Sequence, residues 1–474
     1  MMNNCFIKCF ETPNAQYFYD RHTDSVVKIN NRKEYEALVR VEERKTTVKD
    51  IEILEGYKRQ GLLQDSVVNK IEHPEINNLC HLAENCMSQL ILQVTQQCNL
   101  RCDYCTYSGK YFNRAHSSKR MTFETAKRAI DFFISRAGES KDLVVGFYGG
   151  EPLLEFELIR ECVNYCNKIS GDKGIIFNIT TNGTLLTEEI RKFLATHEFR
   201  LTISLDGAKE EHDINRKFIN GEGSFDVIMA NLKQIKDEYE DYYRNNIFFN
   251  AVVNPKAKLS CVHEYFTTNE LFLEGHVWLN SLATAGLKDK SIIDFNKKYW
   301  NPRSYEYLKI LLAMIGRMKW DKTNSLIRSS EKKIEQLYRI IKEHNIESPK
   351  MHHGGPCIPG VRRLFVTTTG KFYPCERVKE CIDGMCIGDL DNGFNYENME
   401  MLMNHGKMTE AECLECWNLR RCALCLGEVD PIDNKITKEQ KLKKCLGSRK
   451  ETVDDLRELC VLVELGYVIT EEEK

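Results

Sequence analysis

The chain has 474 residues, 42% of them hydrophobic and 29% charged, which is material for about two to four globular domains. Its 67 Lys and Arg nearly cancel 70 Asp and Glu, for a net charge of −3, so neither nucleic acid nor an acidic membrane surface is expected as a partner. No apolar run nears the roughly 20 residues of a membrane span, and the opening MMNNCFIKCF has no signal-peptide hydrophobic region. A cytoplasmic location is therefore expected, and in that reducing compartment 20 cysteines point to metal or cluster ligation before disulfides.

Residues 1–85 read as a small separate unit. Phe6–Phe10, Gln16–Asp20 and Ser25–Ile29 are short β-leaning runs parted by turn residues such as Thr12-Pro13-Asn14, and charged helical stretches follow at Glu34–Val41 and Val48–Arg59. That order predicts a compact α+β, winged-helix-like unit. Over residues 88–300 apolar runs alternate with amphipathic stretches. Strands are expected at Leu90–Thr95, Leu143–Tyr148, Ile175–Thr180, Leu201–Leu205, Ile247–Val253 and His276–Leu282, and helices at Thr122–Arg136, Leu153–Ile169, Glu188–His197 and Phe225–Tyr239. The alternation predicts βαβ units and a parallel sheet. The fold class expected is α/β, a partial (β/α)6 barrel of the TIM type with its chemistry at the C-terminal strand ends. Residues 301–350 form a polar helical connector with helices at Tyr305–Met318 and Ser330–Asn345. Residues 351–450 are cysteine-dense and punctuated by glycine, as in a metal-organised domain, and 451–474 are expected to form one last helix.

The stretch QVTQQCNLRCDYC places Cys98, Cys102 and Cys105 directly after the first barrel strand. A disulfide needs pairs, and a structural zinc site closes with four ligands. Three thiolates from one loop suit three corners of a [4Fe–4S] cube and leave one iron open; a zinc site completed from elsewhere is the alternative. The second strand ends in Gly149-Gly150-Glu151-Pro152, where glycines permit close backbone approach and a carboxylate accepts from an ammonium group. The third ends in Thr180-Thr181-Asn182-Gly183 and the fourth in Ser204-Leu205-Asp206-Gly207, which also read as ordinary turns. His212 and Arg216 lie four apart on one helix face, and the Arg216 guanidinium matches a carboxylate. Downstream come Cys357, Cys375, then Cys413-x2-Cys416-x5-Cys422-x2-Cys425, then Cys445. By spacing alone these would also make paired zinc ribbons.

C-x3-C-x-aromatic-C at a first strand end, with GGEP one βα unit later, resembles the radical S-adenosylmethionine (SAM) enzymes. The later cysteine field resembles the SPASM domain of those that modify peptides. The resemblance implies that Cys98, Cys102 and Cys105 hold the SAM-binding [4Fe–4S] cluster and that Tyr104 lies against the adenine. It implies that Gly149, Gly150 and Glu151 hold the SAM amino group, and that Ser204 and Arg216 contact SAM with Asn182 and Asp206 nearby. It also implies two auxiliary [4Fe–4S] clusters, one closed by Cys413, Cys416, Cys422 and Cys445 and an inner one on Cys357, Cys375 and Cys425. Two features depart from the family: x2 between Cys422 and Cys425 where x3 is usual, and Arg363 where sulfatase-maturing relatives carry a further cysteine. The inner cluster is then open at one iron, or completed by Cys381 or Cys386.

The segment Cys357-Ile-Pro-Gly to Cys375-Glu376 looks like the maturases that install thioether crosslinks in cysteine-rich ribosomal peptides, the ranthipeptides and sactipeptides. This implies a ribosomal precursor peptide whose leader pairs as an added strand with the N-terminal unit, and an external electron donor such as ferredoxin or flavodoxin. The rival readings are a sulfatase-type formylglycine maturase, a maturase forming a carbon–carbon crosslink, an iron–sulfur electron carrier and a zinc-ribbon binding module. Most remaining cysteines, including Cys162 and Cys166, read as small hydrophobes, and His352-His353 reads as loop.

Overall fold

The computed structural model describes residues 5–171, 173–253, 258–273, 276–290, 297–343, 345–354 and 357–468. The first four residues of the expected N-terminal unit and the last six of the expected C-terminal helix lie outside them. Strands β1 (Ile7–Glu11), β2 (Gln16–Asp20) and β3 (Ser25–Lys28) form an antiparallel meander, followed by α1 (Arg32–Glu42) and α2 (Ile51–Lys58). Asn31 starts α1 by accepting from the backbone N–H of Glu34. Alternation along the strands gives the sheet two apolar faces. Ile7, Cys9 and Phe18 pack on α1 and α2, while Phe10, Tyr17 and Tyr19 pack against Leu456 and Cys460 near the chain's end.

β4 (Lys70–Ile71) and α3 (Leu79–Asn85) lead into the main sheet. Its strands β5 (Gln89–Thr95), β6 (Leu143–Gly149), β7 (Ile175–Thr181), β8 (Arg200–Ser204), β9 (Ile247–Val253) and β10 (Val277–Ser281) are parallel and neighbour one another in chain order. This is the winding of a βα barrel left open. Between them run α4 (Phe123–Ser135), α5 (Phe156–Ile169), α6 (Glu188–Thr196), α7 (Lys209–His212), α8 (Phe225–Glu238), α9 (Glu240–Asn246) and α10 (Leu259–Thr268). Thr122 caps α4 and Thr187 caps α6. Strand boundaries lie within one residue of those read from the alternation. Cys162 and Cys166 are wholly buried in the core on α5. Helices α11 (Lys297–Met314) and α12 (Ser329–Lys342) follow, and α11 begins ahead of its expected start at Tyr305.

β11 (Lys350–Met351) pairs with β4. Then β12 (Leu364–Val366) adds in parallel to β5, and β13 (Lys371–Tyr373), β14 (Gly388–Asp389) and β15 (Gly393–Phe394) continue the sheet antiparallel. The result is one ten-stranded sheet, with Phe132 of α4 packed on Phe372 and Phe394 at 4.8 and 5.0 Å. Helices α13 (Tyr396–Met403), α14 (Glu410–Leu414) and α15 (Lys438–Glu464) complete the chain. The expected division at residues 450 and 451 falls inside α15. The physical reason is a capping box, in which Thr437 accepts from the backbone N–H of Gln440 and the Gln440 side chain accepts from that of Thr437. It starts the helix before Cys445, which thereby sits on α15. No described helix is long and apolar enough to cross a membrane.

The turn between β2 and β3 is keyed into the later cysteine field. The wholly buried Arg21 guanidinium donates to Glu347 Oε1 at 2.5 Å, to the carbonyls of Leu414 and Cys416 at 2.7 and 3.0 Å, and to Ser66 Oγ. Arg421 donates to both carboxylate oxygens of Asp24, which also accepts from the Tyr19 hydroxyl at 2.6 Å. Removing one partner of such a pair leaves a buried charge. Arg21→Ala is expected to cost about 3–5 kcal/mol, read as a lower urea midpoint from the fluorescence of Trp417, which packs edge-on against Tyr19 at 6.2 Å. An unchanged midpoint would show that Arg21 and Glu347 are not a buried pair.

Candidate active site

β5 ends at Thr95, and the next loop carries Cys98, Cys102 and Cys105 at the C-terminal end of the sheet. The three thiols are unbridged and half-buried. Burial pushes Cys98 and Cys102 up to about 12 and raises Cys105 as well. Backbone N–H groups are nonetheless aimed at sulfur, from Leu100 to Cys98 and from Tyr107 to Cys105, each at 3.3 Å. Donors directed at desolvated sulfurs fit thiolates held by a metal cation, which binds Cys only in its deprotonated form. These three residues would hold the [4Fe–4S] cluster.

The Gly-Gly turn after β6 is built against this loop. The N–H of Gly150 donates to Thr95 O at 3.0 Å and that of Glu151 to Gln97 O at 2.8 Å. Gly149 has φ +150°, and a Cβ there would meet Thr95 O at 2.1 Å; one on Gly150 would meet Gln97 O at 2.0 Å. Only glycine allows this approach. Glu151 is wholly buried and joins two strand ends: it accepts from Thr181 Oγ1 at 2.6 Å, the Asn182 N–H at 2.7 Å and the Leu153 N–H at 3.0 Å. Burial raises its carboxyl to about 6 against the pull of those donors. Thr181, which ties Glu151 to β7, carries no sequence signal beyond its place at a strand end. Asn182 also donates to Asn99 Oδ1 at 2.8 Å and approaches Cys98 Sγ at 3.8 Å.

A second network holds Tyr104. Its hydroxyl donates to Asp206, and its ring lies 5.4 Å beneath the Arg216 guanidinium. Arg216 Nε donates to Asp206 Oδ2 at 2.9 Å, and Asp206 Oδ1 accepts from the Val252 N–H at 3.0 Å. Arg216 is thus already paired with a buried carboxylate beside Cys102. His212 accepts from the Asp206 N–H at Nδ1, 3.2 Å, and Ser224 Oγ lies 2.9 Å from its Nε2. Ser204 is buried at the end of β8.

The inward faces of the six strands line an open cavity of about 510 Å3, bordered by Ile91, Tyr148, Asn178, Thr180, Thr202, Phe248 and Trp278 among others. Phe248 and Trp278 stack at 5.2 Å. Arg363 and Glu376 close one side of it. Arg363 donates to Gln89 at 3.1 Å and to Glu376 at 3.0 and 3.1 Å. Cys357, Cys375 and Cys425 are electrostatic neighbours of one another, and Glu376 adjoins Cys375. Cys386 points elsewhere, donating to Gly388 O at 3.4 Å. Cys413, Cys416, Cys422 and Cys445 line one small separate pocket. The pair Cys422 and Cys425 is thereby split between the two groups. His353 lies in the quartet's pocket, buried with His352 and His405; His352 and His353 are in a loop, as the sequence suggests, but a buried one, and rings that meet from residues 353 and 405 leave no local pattern.

The sequence of residues 92–262 matches the Radical SAM superfamily. A cysteine-type anaerobic sulfatase-maturating enzyme of Clostridium novyi (strain NT) is 33% identical over 184 residues, 38% of this chain and 48% of that enzyme. The chain spans about half the length of the curated relatives it matches above 30% identity. The radical SAM cyclopropyl synthase TigE of Paramaledivibacter caminithermalis (strain DSM 15212) is 22% identical over 351 residues, 72% of this chain and 68% of the other. The solved structure of anSMEcpe with bound AdoMet shares the fold, with a TM-score of 0.54 at 21% identity over 80% of this chain and 98% of that one.

Gly150→Ala tests how tightly the two motifs are joined. The added methyl must displace Gln97 and the cysteine loop, and a shift of about 1 Å costs on the order of 100-fold in rate. SAM cleavage, followed as 5′-deoxyadenosine release, is expected to fall accordingly while the iron on the C-terminal cysteines remains; unchanged cleavage would contradict the close approach. Three thiols on one loop, the glycine turn seated on them and the sequence match together make residues 92–262 a radical SAM domain, which uses a [4Fe–4S] cluster and SAM, in a chain homologous to the anaerobic sulfatase-maturating enzymes and to TigE.

Proposed function

We propose that this chain is a maturase that installs thioether crosslinks, cysteine sulfur to carbon, in a ribosomally synthesised cysteine-rich precursor peptide. One observation carries the reading: Tyr148 and Glu376 of the cavity wall neighbour, respectively, Cys105 of the first cysteine loop and Cys375 of the inner thiols. Tyr148 has both Cys105 and Glu376, which is next to Cys375, among its charged neighbours. A peptide seated there meets both.

When bound, the cluster on Cys98, Cys102 and Cys105 with SAM supplies abstraction of a hydrogen atom from carbon. The chain's own groups do the placing. Tyr104, Asp206 and Arg216 form a fixed wall beside Cys102, and Asn182 and Glu151 hold the strand ends around Cys98. Phe248 and Trp278 give an apolar rest for the peptide and exclude water. Cys357, Cys375 and Cys425 would hold the inner cluster with three thiols. Arg363, engaged with Glu376 and Gln89, stands where sulfatase-maturing relatives carry a further cysteine, which would leave the fourth position to a substrate cysteine sulfur or to Cys381. Cys413, Cys416, Cys422 and Cys445 are a complete set, suited to electron transfer and not to substrate binding. The edge strand β3 offers main-chain groups to a leader peptide, and a ferredoxin or flavodoxin in the reducing cytoplasm supplies electrons.

Homology to the Clostridium novyi enzyme favours a second reading, oxidation of a substrate cysteine or serine to formylglycine. Anaerobic co-expression with a short cysteine-rich peptide encoded beside this chain separates the two. A thioether removes two hydrogens, keeps every sulfur and abolishes alkylation of the linked cysteine. Formylglycine formed from cysteine loses the sulfur. The first mass change is expected; the second, or an unmodified peptide, would contradict the thioether reading.

A further inference from the structure

The pocket of the outer quartet contains polar groups that four-thiol ligation does not use. His353 is 3% exposed and lines this pocket with Cys413, Cys416, Cys422 and Cys445. Among the described residues neither of its ring nitrogens has a hydrogen-bond partner. Its neighbour His352 is satisfied, with Nε2 accepting from the Gly406 N–H at 2.9 Å and Nδ1 lying 3.1 Å from His353 O. The His353 ring is held in place by His352 and His405, with ring centres 4.3 and 4.4 Å away. An imidazole, neutral or protonated, carries at least one ring N–H to donate.

Lys441 stands behind the same thiols, 1% exposed. Its Nζ donates to His405 O at 2.7 Å and to Thr409 Oγ1 at 2.9 Å, and Thr409 Oγ1 lies 3.2 Å from Cys413 Sγ. The opposite charges acting on it are the thiols of Cys413, Cys445 and Cys422 and, more weakly, the Glu412 carboxylate, which is itself paired with Lys438 at 2.6 Å; among the described residues no carboxylate forms an ion pair with Lys441. A buried ammonium group without an anion is costly, and a cluster on four thiolates supplies one.

We propose that His353 donates its imidazole N–H to sulfur of a cluster held by the outer quartet, with Lys441 as the buried counter-charge, and that the two raise that cluster's reduction potential. The proposal rests on the reading of the quartet as a cluster site. The direction follows from electrostatics: a reduced cluster is more negative, so donors and cations beside its sulfurs favour reduction. His353 is on this account a positioning residue, not a ligand.

The test is a redox titration of the anaerobically reconstituted full chain, followed by electron paramagnetic resonance. Loss of one signal in Cys413→Ser assigns that signal to the quartet. In His353→Leu the reduced-to-oxidised ratio of that signal at fixed potential is expected to fall about tenfold, equal to 59 mV for a one-electron couple. His353→Gln, which keeps an N–H donor, is expected to stay near the native value, with the same iron content in both. Equal potentials in all three proteins would overturn the proposal. So would equal shifts, or loss of the iron, in both variants, which marks a packing role. A spectrum unaffected by Cys413→Ser would instead overturn the reading of the quartet itself, and the proposal with it.

Discussion

Three residues of parallel pairing, Leu364, Phe365 and Val366 of β12 on Leu90, Ile91 and Leu92 of β5, hold the two cysteine fields in one sheet. β5 leads into the loop of Cys98, Cys102 and Cys105, and β13, next to β12, leads into Cys375. Pairing one with the other fixes the direction of both loops relative to the six-stranded cavity. All six residues of this pairing are buried, and the surrounding core runs without a break from α4 to α13. Burial of such side chains is worth about 1.5–3 kcal/mol each, so the junction is secured by packing as well as by its hydrogen bonds.

At the active end the same economy appears in the backbone. Gly149 and Gly150 let β6 end directly on the cysteine loop, and Glu151 beside them ties β7 to that junction through Thr181 and Asn182. A carboxylate buried with three donors costs less than one buried alone, yet its raised pKa shows that the donors do not offset all the desolvation. Tyr104, Asp206, Arg216, His212 and Ser224 form a chain of contacts in which each polar group restrains the next. Side chains locked in this way hold a fixed shape around the cluster loop, which is what radical chemistry asks of the protein.

The repeating elements were legible because local pattern and tertiary environment agree. β5 to β10 are apolar runs set between amphipathic helices, and both cysteine spacings are local. The last helix starts ahead of the expected residue 451, because Thr437-Lys438-Glu439-Gln440 forms a capping box within the cysteine-dense stretch. Arg21 and Lys441 could not be read as buried, nor Arg363 as paired, from sequence, since isolated basic residues in polar stretches normally face water. Their partners are not sequence neighbours: Glu347 and the Leu414 carbonyl for Arg21, Glu376 and Gln89 for Arg363, the His405 carbonyl for Lys441. The partners of Glu151 and Arg216 were missed for the same reason, as each comes from a different strand end.

The central claim is that the loop of Cys98, Cys102 and Cys105 holds a [4Fe–4S] cluster with one iron free to bind SAM. The most direct measurement is the electron paramagnetic resonance spectrum of the dithionite-reduced chain in which Cys357, Cys375, Cys413 and Cys416 are replaced by alanine, recorded with and without SAM. The account predicts a [4Fe–4S] signal from this loop alone whose g-values shift when SAM is added. A spectrum without that signal, or one that SAM leaves unchanged, would contradict it.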